Sequence, residues 1–272
     1  MRRADAFVAL ALGALIAGTA RAGGTECWVD NGVVVVPAAL GDIAGDFILD
    51  LSAPQSQLHF DVAGSNGITQ PSDDAPLQLA GERIPPLSFA VAHLDARGWG
   101  FPTNIAGVIG ADALAGYVVE LQLAPCRLTL WRGAAPKLVA PQTLSIQMVA
   151  GAPAVSATVS DGRTAKHGLF ALDTGSAGVR IADSEAALSR LPKGLDPTLR
   201  TNPPARIAGL ELGGELIPNA PASLQADTPP GLIGSLGNTV WSRYAWIRVD
   251  LRADTLELGP RQSPPPSPRP SR

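Results

Sequence analysis

The chain has 272 residues, of which 46% are hydrophobic and 17% are charged, and this composition supports a buried core and excludes general disorder. The formal net charge of −3 gives no electrostatic basis for binding nucleic acid. With 29 glycines and 25 prolines, the chain favours short strands and turns over long helices.

The N-terminal segment, residues 1–22, has the pattern of a signal peptide. Arg2 and Arg3 precede an apolar run over residues 7–20, and residues 20–22 (ARA) have the small-x-small form of a cleavage site. The run is short and rich in small residues for a membrane span, and an uncleaved anchor is the alternative. We therefore expect an exported protein, periplasmic or secreted, that has no membrane contact after signal removal.

Cys27 and Cys126 are the two cysteines of the chain. In an oxidising compartment such a pair is often joined, so we expect a disulfide between them. The bridge would close a loop of about a hundred residues, to which chain-entropy models assign about 4–5 kcal/mol of stabilisation. Two separate buried thiols are the alternative.

The first half of the mature chain has the pattern of strands and turns. A β-branched run covers residues 33–36, and an apolar strand over 45–49 leads into Asp50. Further strands are predicted over 77–79, 88–92 and 118–123. The loop over residues 96–104 carries Trp99 and Phe101, which either contact a ligand or fill a surface hollow. Residues 133–144 are the predicted linker to the second half.

The second half follows the same plan. Strands are predicted over residues 145–148, 153–159, 169–173, 207–216 and 222–225, with a hairpin turn at Asp161 and Gly162. One helix is predicted over 183–191, with Asp183 or Ser184 as its N-cap. Residues 195–204 are predicted to be a loop, and residues 261–272 a disordered tail of proline, serine and arginine.

Three segments occur twice in the same order, which indicates an internal duplication. Residues 47–53 (FILDLSA) align without a gap on residues 170–176 (FALDTGS). About sixty residues later in each half, residues 106–111 (AGVIGA) align on 230–235 (PGLIGS). Apolar hairpins that begin at Tyr117 and Tyr244 then follow.

Other chemistries are not supported by the sequence. His59, His93 and His167 are scattered and have no paired spacing, so no metal site is predicted. No phosphate-binding loop or dinucleotide motif indicates a cofactor. Ser176 has no histidine near it in sequence and lies in no nucleophile elbow.

The order of hydrophobic–hydrophobic–Asp-Thr-Gly-Ser, hydrophobic–hydrophobic–Gly and a closing hairpin resembles the two-lobed bacterial retropepsin-like and pepsin-like aspartic proteases. The resemblance covers about residues 27–260 and implies an all-β fold with two similar barrel-like lobes, residues 23–132 and 145–260, around a central cleft. It also implies that Asp50 and Asp173 share one proton and activate a water to hydrolyse a peptide or protein in that cleft. No cofactor or metal is implied, and we expect a monomer.

The first of the two aspartate turns departs from the family pattern. The supporting turn positions are Leu51, Ser52 and Ala53 in the first half and Thr174, Gly175 and Ser176 in the second. Leu51 has no hydroxyl to lock the turns together, Ser52 brings a Cβ to the glycine position, and Ala53 cannot donate the hydrogen bond expected of Ser176. Two functions therefore stay open: an exported aspartic endopeptidase, and a weak or inactive homologue that binds peptides or proteins.

Overall fold

The structure is a computed structural model that describes residues 21–184 and 205–262. The predicted signal peptide, the helix over 183–191, the loop over 195–204 and the C-terminal tail lie wholly or mostly outside the described residues. Strand β1 (Arg21–Glu26) includes the last two residues of the predicted leader, so cleavage after Ala22 would shorten it. No described helix is long and apolar enough to cross a membrane.

Six of seven neighbouring strands in the first half close into a barrel. The sheet that contains them has seven strands: β2 (Trp28–Asp30), β3 (Val33–Leu40), β4 (Ile43–Leu49), β5 (Gln57–His59), β6 (Ser72–Leu79), β7 (Glu82–Ala92) and β8 (Ile105–Ile109). Strands β3 to β8 form the barrel, and β2 pairs only with β3. The seven strands follow the order β2-β3-β4-β8-β5-β7-β6, and β6 pairs back onto β3. Val34 and Val36 pack inside the barrel, while Val35 faces a second apolar cluster on the other side of the sheet. This alternation is the period of two that a strand imposes.

The second half forms a barrel with the same order. Its strands are β12 (Gln147–Val149), β13 (Ala152–Ser160), β14 (Ala165–Leu172), β15 (Val179–Ala182), β16 (Ala205–Leu212), β17 (Glu215–Gln225) and β18 (Leu232–Leu236). They follow the order β12-β13-β14-β18-β15-β17-β16, and β13 also pairs with β16. The predicted all-β fold with two similar lobes is therefore confirmed.

A third sheet is shared by both halves. It contains β1, β9 (Val118–Leu123) and β10 (Cys126–Arg132) from the first half, and β11 (Gln142–Ser145), β19 (Ile247–Asp250) and β20 (Thr255–Leu258) from the second. The joint is the antiparallel pair β9 and β19, where the buried Arg248 donates to Glu120 across the strands at 2.7 Å. The predicted disulfide between Cys27 and Cys126 is confirmed and ties the start of the first barrel to β10. Strand β11 contains the last residues of the predicted linker.

Four short helices occur in the described residues: α1 (Phe60–Ser65), α2 (Asp95–Gly98), α3 (Ala111–Leu114) and α4 (Asn238–Trp241). None was predicted, because a helix of four to six residues is too short to show a helical period. Helix α3 follows β8 and helix α4 follows β18, so they occupy matching places in the two halves.

The strand register corrects the sequence alignment of the two halves. Phe47 pairs with Gly107, and the matching Phe170 pairs with Gly234, so these two glycines correspond. The alignment of 106–111 on 230–235 pairs Gly110 with Gly234 and is wrong by three residues. The second half has glycines at 231, 234 and 237, so matching a glycine alone does not fix the alignment of the two halves. The true counterpart of residues 108–110 (VIG) is residues 235–237 (SLG).

Candidate active site

Each aspartate lies at the end of a barrel strand that has a parallel neighbour. The N–H of Asp50, after β4, donates to the carbonyl of Ile109 at 2.9 Å, and the N–H of Asp173, after β14, donates to that of Leu236 at 3.0 Å. The two aspartates are 4% and 2% exposed. A buried carboxylate is costly unless it is paired or hydrogen-bonded, so the partners of each one decide its state.

The two aspartate turns are joined by the hydroxyl of Thr174. It donates to the carbonyl of Leu49 at 2.7 Å and accepts the N–H of Leu51 at 3.1 Å, so it holds the backbone on both sides of Asp50. Thr174 and Leu51 are fully buried. Because Leu51 packs an apolar side chain into the core, it returns no hydroxyl, and the side-chain link between the turns is one-sided as the sequence indicated.

Asn238, which the sequence reasoning missed, forms a second link. Its amide donates to the carbonyls of Gly32 and Thr174, each at 2.7 Å, and the N–H of Val34 donates to the same Thr174 carbonyl at 3.1 Å. Its counterpart in the first half is Ala111, which has no amide to give. In the correct alignment Asn238 directly follows residues 235–237, the segment beside the aspartate strand, and this position marks it as a candidate site residue. The alignment that is wrong by three residues places Asn238 outside the matched segment.

Ser52 makes the hydrogen bond that the sequence indicated was lost. Its hydroxyl and its N–H donate to Asp50 Oδ1 at 2.6 Å and 2.9 Å. The expectation that the first carboxylate lacks a hydroxyl donor, drawn from Ala53, is therefore wrong. The Cβ that Ser52 brings to the glycine position causes no left-handed strain, because Ser52 does not have the positive φ at which a Cβ is disfavoured.

Gly175, the counterpart of Ser52, lies directly against Asp50. A Cβ at Gly175 would lie 2.6 Å from Asp50 Oδ2 and would overlap Nη2 of Arg97. The close approach, rather than a left-handed backbone, excludes a side chain here. The Asp50 carboxylate and the Asp173 turn therefore face one another in a single cleft.

Asp173 has its own set of donors in the second half. The hydroxyls of Ser176 and Ser235 donate to its Oδ2 at 2.6 Å and 2.8 Å. Nε of Arg180, on β15, lies 4.0 Å from the same oxygen. Ser176 thus has the role predicted from the sequence, while Ser235 and Arg180 were not predicted.

Arg97, also not predicted, reaches the site from the loop between β7 and β8. Its Nη2 lies 2.6 Å from Asp50 Oδ2. Leu94 and Phe101 anchor this loop in an apolar cluster of the first barrel, so Phe101 fills an apolar hollow, one of the two alternatives for the loop aromatics. Trp99 is 64% exposed. The sequence identified the loop but could not show which of its side chains reaches a carboxylate.

The surroundings of the two carboxylates shift their pKa values in opposite directions. Burial raises the pKa of Asp50, but the Arg97 guanidinium and the Ser52 donors outweigh burial and hold that pKa below its ordinary value. Burial and the charge of Asp50 raise the pKa of Asp173, and Arg180 and two serine hydroxyls offset this only in part. When the pair carries a single proton, Asp173 therefore holds it and Asp50 is ionised.

The fold also brings together His59, Asp61 and Asp95, whose ligand atoms lie within 4.8 Å of one another, although no metal site was predicted. The Nδ1 of His59 accepts the N–H of Asp61 at 3.1 Å and caps helix α1. A neutral imidazole whose Nδ1 accepts carries its hydrogen on Nε2, which lies 3.6 Å from Asp95. Neither ring nitrogen then offers a lone pair to a cation, so this trio fits a helix cap and a polar contact.

The comparisons with known proteins point to the fold. No protein-family model and no curated protein matches the sequence. The solved structure of the aspartic proteinase from Irpex lacteus matches 89% of this chain and 98% of its own chain, with a TM-score of 0.56 and 14% sequence identity. At this identity the likeness is one of architecture. The chain therefore has the two-lobed, pepsin-like aspartic protease fold.

Proposed function

We propose that the protein is an exported aspartic-type endopeptidase in which Asp50 and Asp173 hydrolyse peptide bonds. The observation that carries the proposal is the pair of buried carboxylates that face one cleft and have opposite pKa shifts. Such a pair supplies one base and one acid at the same pH. The leader-like N-terminus and the disulfide support export.

In this reaction Asp50 is the base and Asp173 is the acid. Ionised Asp50 accepts a proton from a water as that water attacks the scissile carbonyl carbon, and protonated Asp173 donates a hydrogen bond to the carbonyl oxygen. The tetrahedral intermediate then breaks its C–N bond as Asp50 passes the proton that it took from water to the leaving nitrogen, which returns Asp50 to its ionised state. The hydroxyl of Thr174 and the amide of Asn238 act as positioning groups, because they hold the two turns in register.

A second function, peptide binding without hydrolysis, is favoured by one contact. Arg97 occupies Oδ2 of Asp50, while Ser52 donates twice to Oδ1. A base in this state is well hydrogen-bonded, and it becomes a stronger base towards water when Arg97 leaves Oδ2. If Arg97 stays, the weakened base favours a cleft that binds a peptide without cutting it.

A cleavage assay on a mixed peptide library separates the two functions. We expect slow hydrolysis by the wild type at acid pH, blocked by a transition-state-analogue inhibitor of aspartic proteases. Asp50→Asn and Asp173→Asn should each lower the rate by about 10²–10⁴-fold, the usual contribution of acid–base catalysis. Asp254→Asn is the control, because Asp254 is exposed in a turn at φ 52°, a conformation that asparagine also tolerates.

The pH profile of kcat/KM provides an independent test. The rate should fall at low pH as Asp50 is protonated, below its ordinary pKa of 3.8, and at higher pH as Asp173 ionises, above that value. Wild-type protein that binds peptides but cleaves none between these limbs would favour the binding function. Cleavage that survives both asparagine substitutions would exclude this dyad.

A further inference from the structure

Two arginines lie at the candidate dyad, one from each half of the chain. Arg97 contacts Asp50 Oδ2 at 2.6 Å, and Nε of Arg180 lies 4.0 Å from Asp173 Oδ2. Their side chains are 30% and 29% exposed, while those of the two aspartates are 6% and 3% exposed. The guanidiniums thus lie between the buried carboxylates and the solvent, where an incoming ligand meets them first.

Both guanidiniums keep N–H donors that the described residues do not use. A guanidinium carries five donors in a fixed fork. Within residues 21–184 and 205–262, the Arg97 side chain donates one hydrogen bond, to Asp50. In the same residues the Arg180 side chain donates no hydrogen bond, and its contact with Asp173 is an ion pair at 4.0 Å. The remaining donors match a carboxylate, which a guanidinium binds in a bidentate manner.

The charge of this group of four side chains is positive when the aspartate pair carries one proton. The pair then has a charge of −1, and the two arginines beside it bring the sum to about +1. Two carboxylates that shared one proton without arginines would instead carry about −1. A cleft with this sign of charge and low-dielectric walls concentrates anions.

An anionic ligand would also free the catalytic base. Arg97 holds Oδ2, the oxygen of Asp50 that Ser52 leaves open. A substrate carboxylate gives Arg97 a new anionic partner, so that Arg97 keeps an ion pair when it leaves Oδ2. A neutral substrate gives Arg97 no anionic partner, so that Arg97 would exchange its ion pair with Asp50 for hydrogen bonds to solvent alone.

We propose that this cleft selects peptides with an acidic side chain beside the bond to be cut, and that Arg97 and Arg180 are its specificity residues. This inference rests on the proposed function, since it names the substrate class of the same site. In the binding-only function Arg97 stays on Asp50 whatever peptide is bound. Here an acidic substrate displaces Arg97 from Asp50.

Binding and cleavage are tested separately so that the two proposals can fail separately. Fluorescent peptides that differ only by glutamate or glutamine at positions flanking the central bond are titrated against Asp173→Asn, which mimics the protonated acid without cleaving. We expect the glutamate peptides to bind about tenfold tighter or more, the value of one charge-assisted hydrogen bond. Arg97→Gln and Arg180→Gln, each in the same background, should reduce this ratio to about twofold.

Arg163→Gln is the matched control. Arg163 is exposed in the turn before β14, at the end of that strand opposite Asp173, so it changes the net charge without changing the cleft. Arg97→Lys keeps the charge but not the fork and should give an intermediate ratio; it also replaces Arg97→Gln if that variant melts early. Equal binding of both peptide sets, or a glutamate preference that survives both arginine substitutions, would overturn the inference. An arginine-dependent preference without any cleavage by wild-type protein would instead overturn the peptidase function and leave the binding specificity standing.

Discussion

Replacing Thr174 by valine removes the one hydroxyl that joins the two aspartate turns and keeps the shape of the side chain. Thr174, Leu49 and Leu51 are each 0% exposed, so the substitution leaves the carbonyl of Leu49 and the N–H of Leu51 without partner or water. Each buried group left unpaired costs about 1–3 kcal/mol. Burying a methyl in place of a hydroxyl returns about 1 kcal/mol, so we expect a loss of about 1–5 kcal/mol.

The free energy of unfolding is measured by chemical denaturation, followed through tryptophan fluorescence, to which the buried Trp241 contributes. Thr143→Val on the exposed face of β11 is the control and should change stability by less than about 0.5 kcal/mol. Activity should fall by about a hundredfold, because small displacements of catalytic groups have effects of that size. A loss for Thr174→Val no larger than that of the control would refute the idea that this hydroxyl holds the turns together.

Three further predictions concern the same turns and the disulfide. Gly175→Ala places a Cβ 2.6 Å from Asp50 Oδ2, so we expect a loss of about 1–3 kcal/mol and of activity; unchanged melting would show that the turns can separate. The pKa of Asp173 is raised in the folded protein, so its contribution to stability is fully present below the unfolded value of 3.8 and is lost as pH rises through the folded value. Asp173→Asn, which stays neutral, should therefore gain stability relative to wild type between pH 3 and pH 7, in denaturation curves taken at several pH values; parallel curves would contradict the raised pKa. Cys27→Ser with Cys126→Ser opens a bridge of sequence separation 99 and should cost about 2–5 kcal/mol, and unaltered stability under the same denaturation assay would argue against a structural bridge.

The sequence by itself predicted the β-rich halves and singled out the two aspartates. Alternating apolar strands and frequent turns predicted a β-rich chain, and two copies of an apolar strand ending in aspartate predicted two similar halves with Asp50 and Asp173 at matching places. The two barrel-like lobes were implied by the resemblance to aspartic proteases. The strand and turn patterns are local, because strand periodicity and turn residues depend on neighbours in the chain. The cysteine pair followed from the same kind of reasoning about compartment and count.

Only the tertiary structure decided how the site is held and charged. Arg97 lies 47 positions from Asp50 in the sequence, and Asn238 lies 206 positions from Gly32, yet both are in contact with these partners. No local pattern marks such pairs, because the contacts arise when two barrels and a shared sheet bring distant turns together. The role of Ser52 was misjudged for a related reason: the hydrogen bond of a serine depends on the backbone conformation of its turn, and neither sequence similarity nor residue type specifies that conformation.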